Sequence, residues 1–134
     1  MEEIRWEETD PQGRRVVLKA STFDEHIKKD HDDDDAAIRI KNEEHAKKAI
    51  ARPHLVILDP EDHDRHIYYR IILANNGEPL KKVKNMRVVV DTDREPNEVV
   101  TWIVEKKMKG SAKKEWIIYD GGGNNVPRLS GEQV

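Results

Sequence analysis

His26 and Asp30 stand four residues apart in the stretch Ser21-Thr-Phe-Asp-Glu-His-Ile-Lys-Lys-Asp-His, and so do Ile27 and His31. Residues four apart on a helix project from one side. One carboxylate and one or two imidazoles placed so are a candidate site for a divalent transition metal. The spacing is not His-Glu-x-x-His and no distant partner ligand is identifiable, so no metal or other cofactor is expected. An imidazole titrates near neutral pH and serves equally as general acid or base. The bland alternative for His26 is a surface histidine flanking a helix. The run Asp32–Asp35 lacks the alternating ligands and central glycine of a calcium loop and reads as a solvated acidic loop.

Three further groups bear chemistry. Tyr68-Tyr69-Arg70 sets an aromatic pair beside a cation; tyrosine stacks on a base or donates a proton, and arginine holds a phosphate with two donors. Alternation lets only Tyr68 share the face of Arg70. Thr101 interrupts an apolar strand, where it is either a phosphate donor or simply a β-favouring residue. Lys81, Lys82, Lys84 and Arg87 form a basic segment that serves a substrate or is a solvated face.

The elements that must position these groups follow from periodicity. Ile4–Thr9 and Arg14–Ala20 flank Asp10-Pro-Gln-Gly13, which predicts a β-hairpin. Val16 and Leu18 would face one side. Thr22 as N-cap with Glu25 three residues on predicts a helix through His31. Asn42 begins a second helix whose apolar face is Ala46, Ala49 and Ile50, and Pro53 stops it. Strands are expected at Leu55–Leu58, Ile67–Leu73, Met86–Val90 and Val99–Val104. Val99, Thr101 and Ile103 would share one side of the last of these. A final strand, Trp116–Tyr119, is expected to pair with the Val99–Lys107 region. The predicted class is α+β: two N-terminal helices packed on a mainly antiparallel sheet of four to five strands, with an N-terminal β-hairpin. Residues 1–120 would form one domain and 121–134 a flexible tail. Gly121, Gly122 and Gly123 lack the Gly-Lys-Ser/Thr of a phosphate loop.

Composition narrows the function classes. The 134 residues suit one domain. Apolar residues are 36% and charged residues 38%, which implies a thin core beneath a charged surface. No cysteine is present, so disulfides, thiolate metal sites and thiol nucleophiles are excluded. No apolar run approaches the ~20 residues that span a membrane, and the first twenty residues hold five acids, unlike a signal peptide. A soluble, cytoplasmic protein is expected. The net charge is −3, divided between −6 over residues 1–66 (18 acids, 12 Lys/Arg) and +3 over residues 67–134 (9 acids, 12 Lys/Arg). A purely phosphate-driven binder would be more basic.

Together, Ser21-Thr-Phe-Asp-Glu-His-Ile with His31, Pro53 before an apolar strand, Tyr68-Tyr69-Arg70, Val88-Val-Val90 and Val100-Thr101-Trp102 resemble the phage-associated domains of the barnase–EndoU–colicin–RelE-like nuclease superfamily. The resemblance covers roughly residues 15–108. It implies two helices followed by a four-stranded antiparallel sheet and metal-independent cleavage of RNA by a toxin or phage effector. It matches His26 to the helix histidine, Arg70 to the strand arginine and Thr101 to the strand Ser/Thr, with Tyr68 or Tyr69 as the tyrosine. Tyr69, Lys82 and Arg87 would contact the substrate. His31-Asp32-Asp33 stands where the family has His-Pro-Glu, and Trp102 where it has a small residue. RNA would be the partner, with an inhibitor or a larger phage or toxin protein as a further one. RNA supplies its own nucleophile, the 2′-hydroxyl, so a base, an acid and a cation around the phosphate suffice. The alternatives are a catalytically inactive protein- or RNA-binding module on the same fold and a His/Asp metal-binding domain.

Overall fold

The computed structural model describes residues 3–27, 38–74, 82–105 and 114–121. Asp30, His31, the Asp32–Asp35 loop, the expected turn at Asn75–Pro79, Lys81 and the tail from Gly122 onward lie outside the described residues.

The hairpin pairs β1 (Ile4–Thr9) with β2 (Arg15–Lys19). Its turn is built by Asp10, whose Oδ1 accepts the backbone N–H groups of Gln12 (2.9 Å) and Arg14 (2.8 Å). Such an Asx-type turn is what a short carboxylate does best. Gly13 supplies the positive φ of 89° that other residues resist. Next comes a single α-helical turn, α1 (Ala20–Thr22), which runs into a π-helical turn (Phe23–Ile27) that buries Phe23 and Ile27. Thr22 therefore sits inside the helical segment rather than capping it. Residues 38–41 are helical and lead into α2 (Glu43–Ala51), which buries Ala46, Ala49 and Ile50. Asn42, the expected cap of α2, instead donates its Nδ2 to the carbonyl of Ile38 (2.8 Å).

The strands that follow are β3 (Leu55–Asp59), β4 (Asp62–Ala74), β5 (Lys82–Asp91) and β6 (Asn97–Glu105). A 3₁₀ turn (Lys114–Trp116) then precedes β7 (Ile117–Asp120). They form one mixed sheet of seven strands in the order β1-β2-β6-β5-β4-β3-β7. This corrects the expected α+β arrangement of two N-terminal helices packed on a mainly antiparallel sheet of four to five strands: the sheet is larger and mixed, and the described helices are short. The hairpin is part of the sheet, because β2 runs parallel to β6 through Val16↔Asn97 and Val17↔Glu98. A parallel pair between segments eighty residues apart leaves no local signature. The last strand also lands elsewhere: β7 pairs antiparallel with β3, not with β6. In β6 a bulge inserts Val100 opposite the step between Val89 and Val90. Val99 is thereby turned onto the Trp102 side, away from Thr101.

The sheet has two unlike faces. Val16, Leu18, Val56, Tyr68, Ile72, Met86, Val88, Val90 and Trp102 line the inner face and receive Phe23, Ile27, Ala46, Ala49 and Ile50. Trp102 is wholly buried at its centre, with the rings of Trp6 and Phe23 at 6.2 and 6.4 Å. Its indole N–H donates to the Arg39 carbonyl (3.0 Å). Glu43, in the first turn of α2, receives both Arg5 (2.6 and 2.9 Å) and the Trp6 indole (2.8 Å), which ties β1 to the helix. On the outer face Leu55, Ile57, Ile67 and Tyr69 form a smaller cluster with Ile117.

The sheet curls toward its inner face. Gln12, in the β1–β2 turn, donates its Nε2 to the carbonyl of Ile118 in β7 (3.3 Å), so groups from the two ends of the strand order meet. At the β7 end Gly121 donates to the His54 carbonyl (2.9 Å), and a Cβ on it would overlap the Pro53 carbonyl oxygen. Gly121→Ala is expected to cost about 1–3 kcal/mol of stability by forcing β7 off β3. Thermal denaturation with amide exchange would check this, exchange quickening first at Val56 and Ile57.

Candidate functional site

The residues matched to nuclease chemistry are distributed over both faces. His26 is exposed on the π-helical turn, which packs by Phe23 on Trp102 of β6, and its backbone carbonyl faces Arg39 Nη1 (3.4 Å). Arg70 lies on the inner face of β4 beyond the end of α2, where it donates to the Arg52 carbonyl (2.6 Å). Tyr68 shares that face but is wholly buried. Thr101 is on the outer face opposite Val89, its hydroxyl buried and without a hydrogen-bond partner among the described residues. Tyr69 is also on the outer face, 4% exposed, and sits directly across from Arg87. Lys82 begins β5 opposite Ala74.

The structure therefore gathers Thr101, Tyr69 and Arg87 on one face and places Arg70 on the other. His26 and Arg70 are held by different elements over different strands. Tyr69 is packed among Leu55, Ile57 and Ile67, with no ring face open to a base. Burial raises its phenol above the ordinary value, with Arg87 opposing the shift.

Two polar groupings that the sequence reading did not assemble lie on the inner face, although it had named Tyr68 and Arg70 within them. The first centres on Asp10, whose side chain is 2% exposed. Its Oδ2 accepts the Tyr68 hydroxyl at 2.6 Å and Arg14 Nη1 at 3.3 Å, besides the two backbone N–H groups on Oδ1. Arg14 Nη1 also donates to Gln12 Oε1 (2.6 Å). Burial, reinforced by Asp10, lifts the Tyr68 phenol far above its ordinary value, so it stays protonated as a donor. His66 shares the Tyr68 side of β4; it is 8% exposed and its Nδ1 has no hydrogen-bond partner among the described residues. Burial, and then the Arg14 cation, push its imidazole down from 6.5 to about 4, against the pull of Asp10. The second group is His54 with Arg70, at the junction of α2, β3 and β7. Alternation along β4 would have linked His66 to Tyr68, whereas nothing local linked Asp10 to either.

Among the described residues no group of three or more His, Asp or Glu could hold a metal ion. No described helix is long and apolar enough to cross a membrane. Comparisons with models of protein families, with curated proteins and with solved structures return no match to this chain.

Three outcomes follow. Tyr68→Phe leaves the buried Asp10 carboxylate one donor short and is expected to cost about 1–3 kcal/mol by chemical denaturation. Thr101→Val replaces an orphaned hydroxyl by a methyl of the same shape, so the same measurement should show stability unchanged or raised by roughly 1 kcal/mol. The unfolded chain protonates His66 near 6.5, the folded protein only near 4. The unfolded state thus binds more protons in that window, and stability falls as pH drops from 6.5 toward 4, by on the order of 3 kcal/mol from this group. His66→Leu should flatten that part of the stability–pH curve.

Proposed function

We propose that the protein is a non-catalytic binding module whose partner is another protein. The observation that carries this reading is the apolar strip on the outer face. Ile71, Leu73 and Val83 are 42, 56 and 66% exposed. Leu73 stands directly opposite Val83, and Ile71 is its neighbour on the same face. Contiguous exposed aliphatic side chains are costly in water and mark association surfaces. Asn85 and Arg87 follow Val83 on the same face of β5 and supply a polar rim.

Metal-independent RNA cleavage needs a base, an acid and a cation around one phosphorus. With Arg70 and Thr101 on opposite faces, and Tyr68 buried against Asp10, the named residues do not converge in that way. This favours the inactive-module alternative over a toxin or phage ribonuclease, and the protein partner over RNA. A cytoplasmic site of action belongs to the same proposal, since a cysteine-free chain depends on no oxidising compartment.

The test has two parts. Purified protein is incubated with RNA, with and without EDTA, and is expected to leave it intact; cleavage in EDTA would restore the ribonuclease reading. Leu73→Asp with Val83→Asp should change stability by less than about 1 kcal/mol, because both side chains are already solvated. The pair should abolish capture of whatever protein the wild type retains. Retention unchanged by the pair would sink the outer-face assignment.

A further inference from the structure

His54 is approached by two donors, yet a neutral imidazole has one lone pair to offer. Its backbone completes both neighbouring ladders: the His54 N–H donates to the Tyr69 carbonyl (2.8 Å), and its carbonyl accepts the Gly121 N–H (2.9 Å). Beyond the start of β3, Pro53 can add no further donor to β4. The side chain of His54 takes over there, and its Nδ1 accepts the Ile71 N–H at 3.0 Å. That bond fixes the tautomer, because an accepting Nδ1 leaves the proton on Nε2.

Nε2 then faces Arg70 Nη1 at 3.5 Å. Both nitrogens carry hydrogens, so neither satisfies the other. Arg70 is anchored by its bond to the Arg52 carbonyl (2.6 Å) and retains further donors on its fork. Burial, and then the Arg70 cation, hold the His54 imidazole below its ordinary value, which keeps it neutral near pH 7. Half-buried His54 and Arg70 and the exposed side chain of Arg52 leave this corner open to solvent. Two N–H donors 3.5 Å apart, one of them on a cation, are complementary to an acceptor with two adjacent oxygens.

We propose that His54 Nε2–H and the Arg70 guanidinium form a binding site for a small oxyanion, a phosphoryl or carboxylate group. One oxygen accepts from His54 and the other from Arg70, which relieves the donor–donor opposition. The site lies on the inner-face side of β4 and does not depend on whether a protein docks on the outer face.

The experiment is ¹⁵N–¹H spectroscopy of the histidine rings in the intact protein at neutral pH. The expected result is an unprotonated Nδ1 and a protonated Nε2 for His54. A proton on Nδ1 overturns the proposal before any ligand is added. Inorganic phosphate and, separately, acetate are then titrated at constant ionic strength against chloride. Saturable movement of the His54 Nε2–H resonance with either supports the site, and the anion that saturates first identifies its chemistry. Movement no greater than in chloride overturns it. Arg70→Gln, confirmed as folded by its spectrum, should weaken the response roughly tenfold, the loss of about one charge-assisted bond. An unchanged response in that variant also overturns the assignment. If Arg70→Gln does not fold, the wild-type tautomer and titrations decide alone.

Discussion

The bond from the Tyr68 hydroxyl to the Asp10 carboxylate is the constraint on which the rest of the molecule rests. Asp10 belongs to the turn between β1 and β2, at one end of the strand order, whereas Tyr68 is on β4, beyond β6 and β5. A flat sheet could not join them. The pair holds the sheet in its curl, and the curl creates the inner face that Phe23, Ile27 and the small face of α2 fill. A carboxylate withdrawn this far from water is tolerable only when its lone pairs are occupied. Two backbone N–H groups, Arg14 and Tyr68 occupy them. His66 beside this cluster is kept uncharged by the same burial, so the corner that shapes the fold is also its acid-sensitive point.

A curled sheet sorts side chains by parity. Even-numbered residues of β4 turn inward, where His66 and Tyr68 meet Asp10 and its turn and Arg70 meets the end of α2. Odd-numbered ones turn outward to Leu55, Arg87 and solvent. Arg70 and Thr101 are separated because they fall on opposite faces of the sheet. The outer face keeps an aliphatic strip in water, and the inner corner keeps an imidazole whose one N–H proton and one lone pair are assigned by the backbone around it.

Much of the local structure was legible. Asp10-Pro-Gln-Gly13 marks a turn, because a short carboxylate and a glycine make one without tertiary help. The alternation of Tyr68, Arg70 and Ile72 against Ile67, Tyr69 and Ile71 is a property of any extended chain, and the two tyrosines separate onto the two faces as it requires. Ala46, Ala49 and Ile50 form the buried face of α2 by helical spacing alone. Other features escaped because their causes are remote or internal to a neighbour. Val99 follows a bulge rather than simple alternation. Thr22 is overtaken by a helix that starts two residues earlier.

Sequence by itself determined where most of the extended and helical segments lie and, away from the β6 bulge, which side chains of a strand share a face, since backbone sterics and side-chain period act over a few residues. Only the tertiary structure decided that β2 lies parallel against β6, that β7 closes on β3, and that Asp10 reaches Tyr68. Those choices are made by burying apolar surface and satisfying one buried carboxylate, terms that depend on residues far apart in the chain. His54 shows the difference most plainly. Its residue type was visible from the start, but its role follows from a backbone N–H on another strand and a guanidinium sixteen residues away.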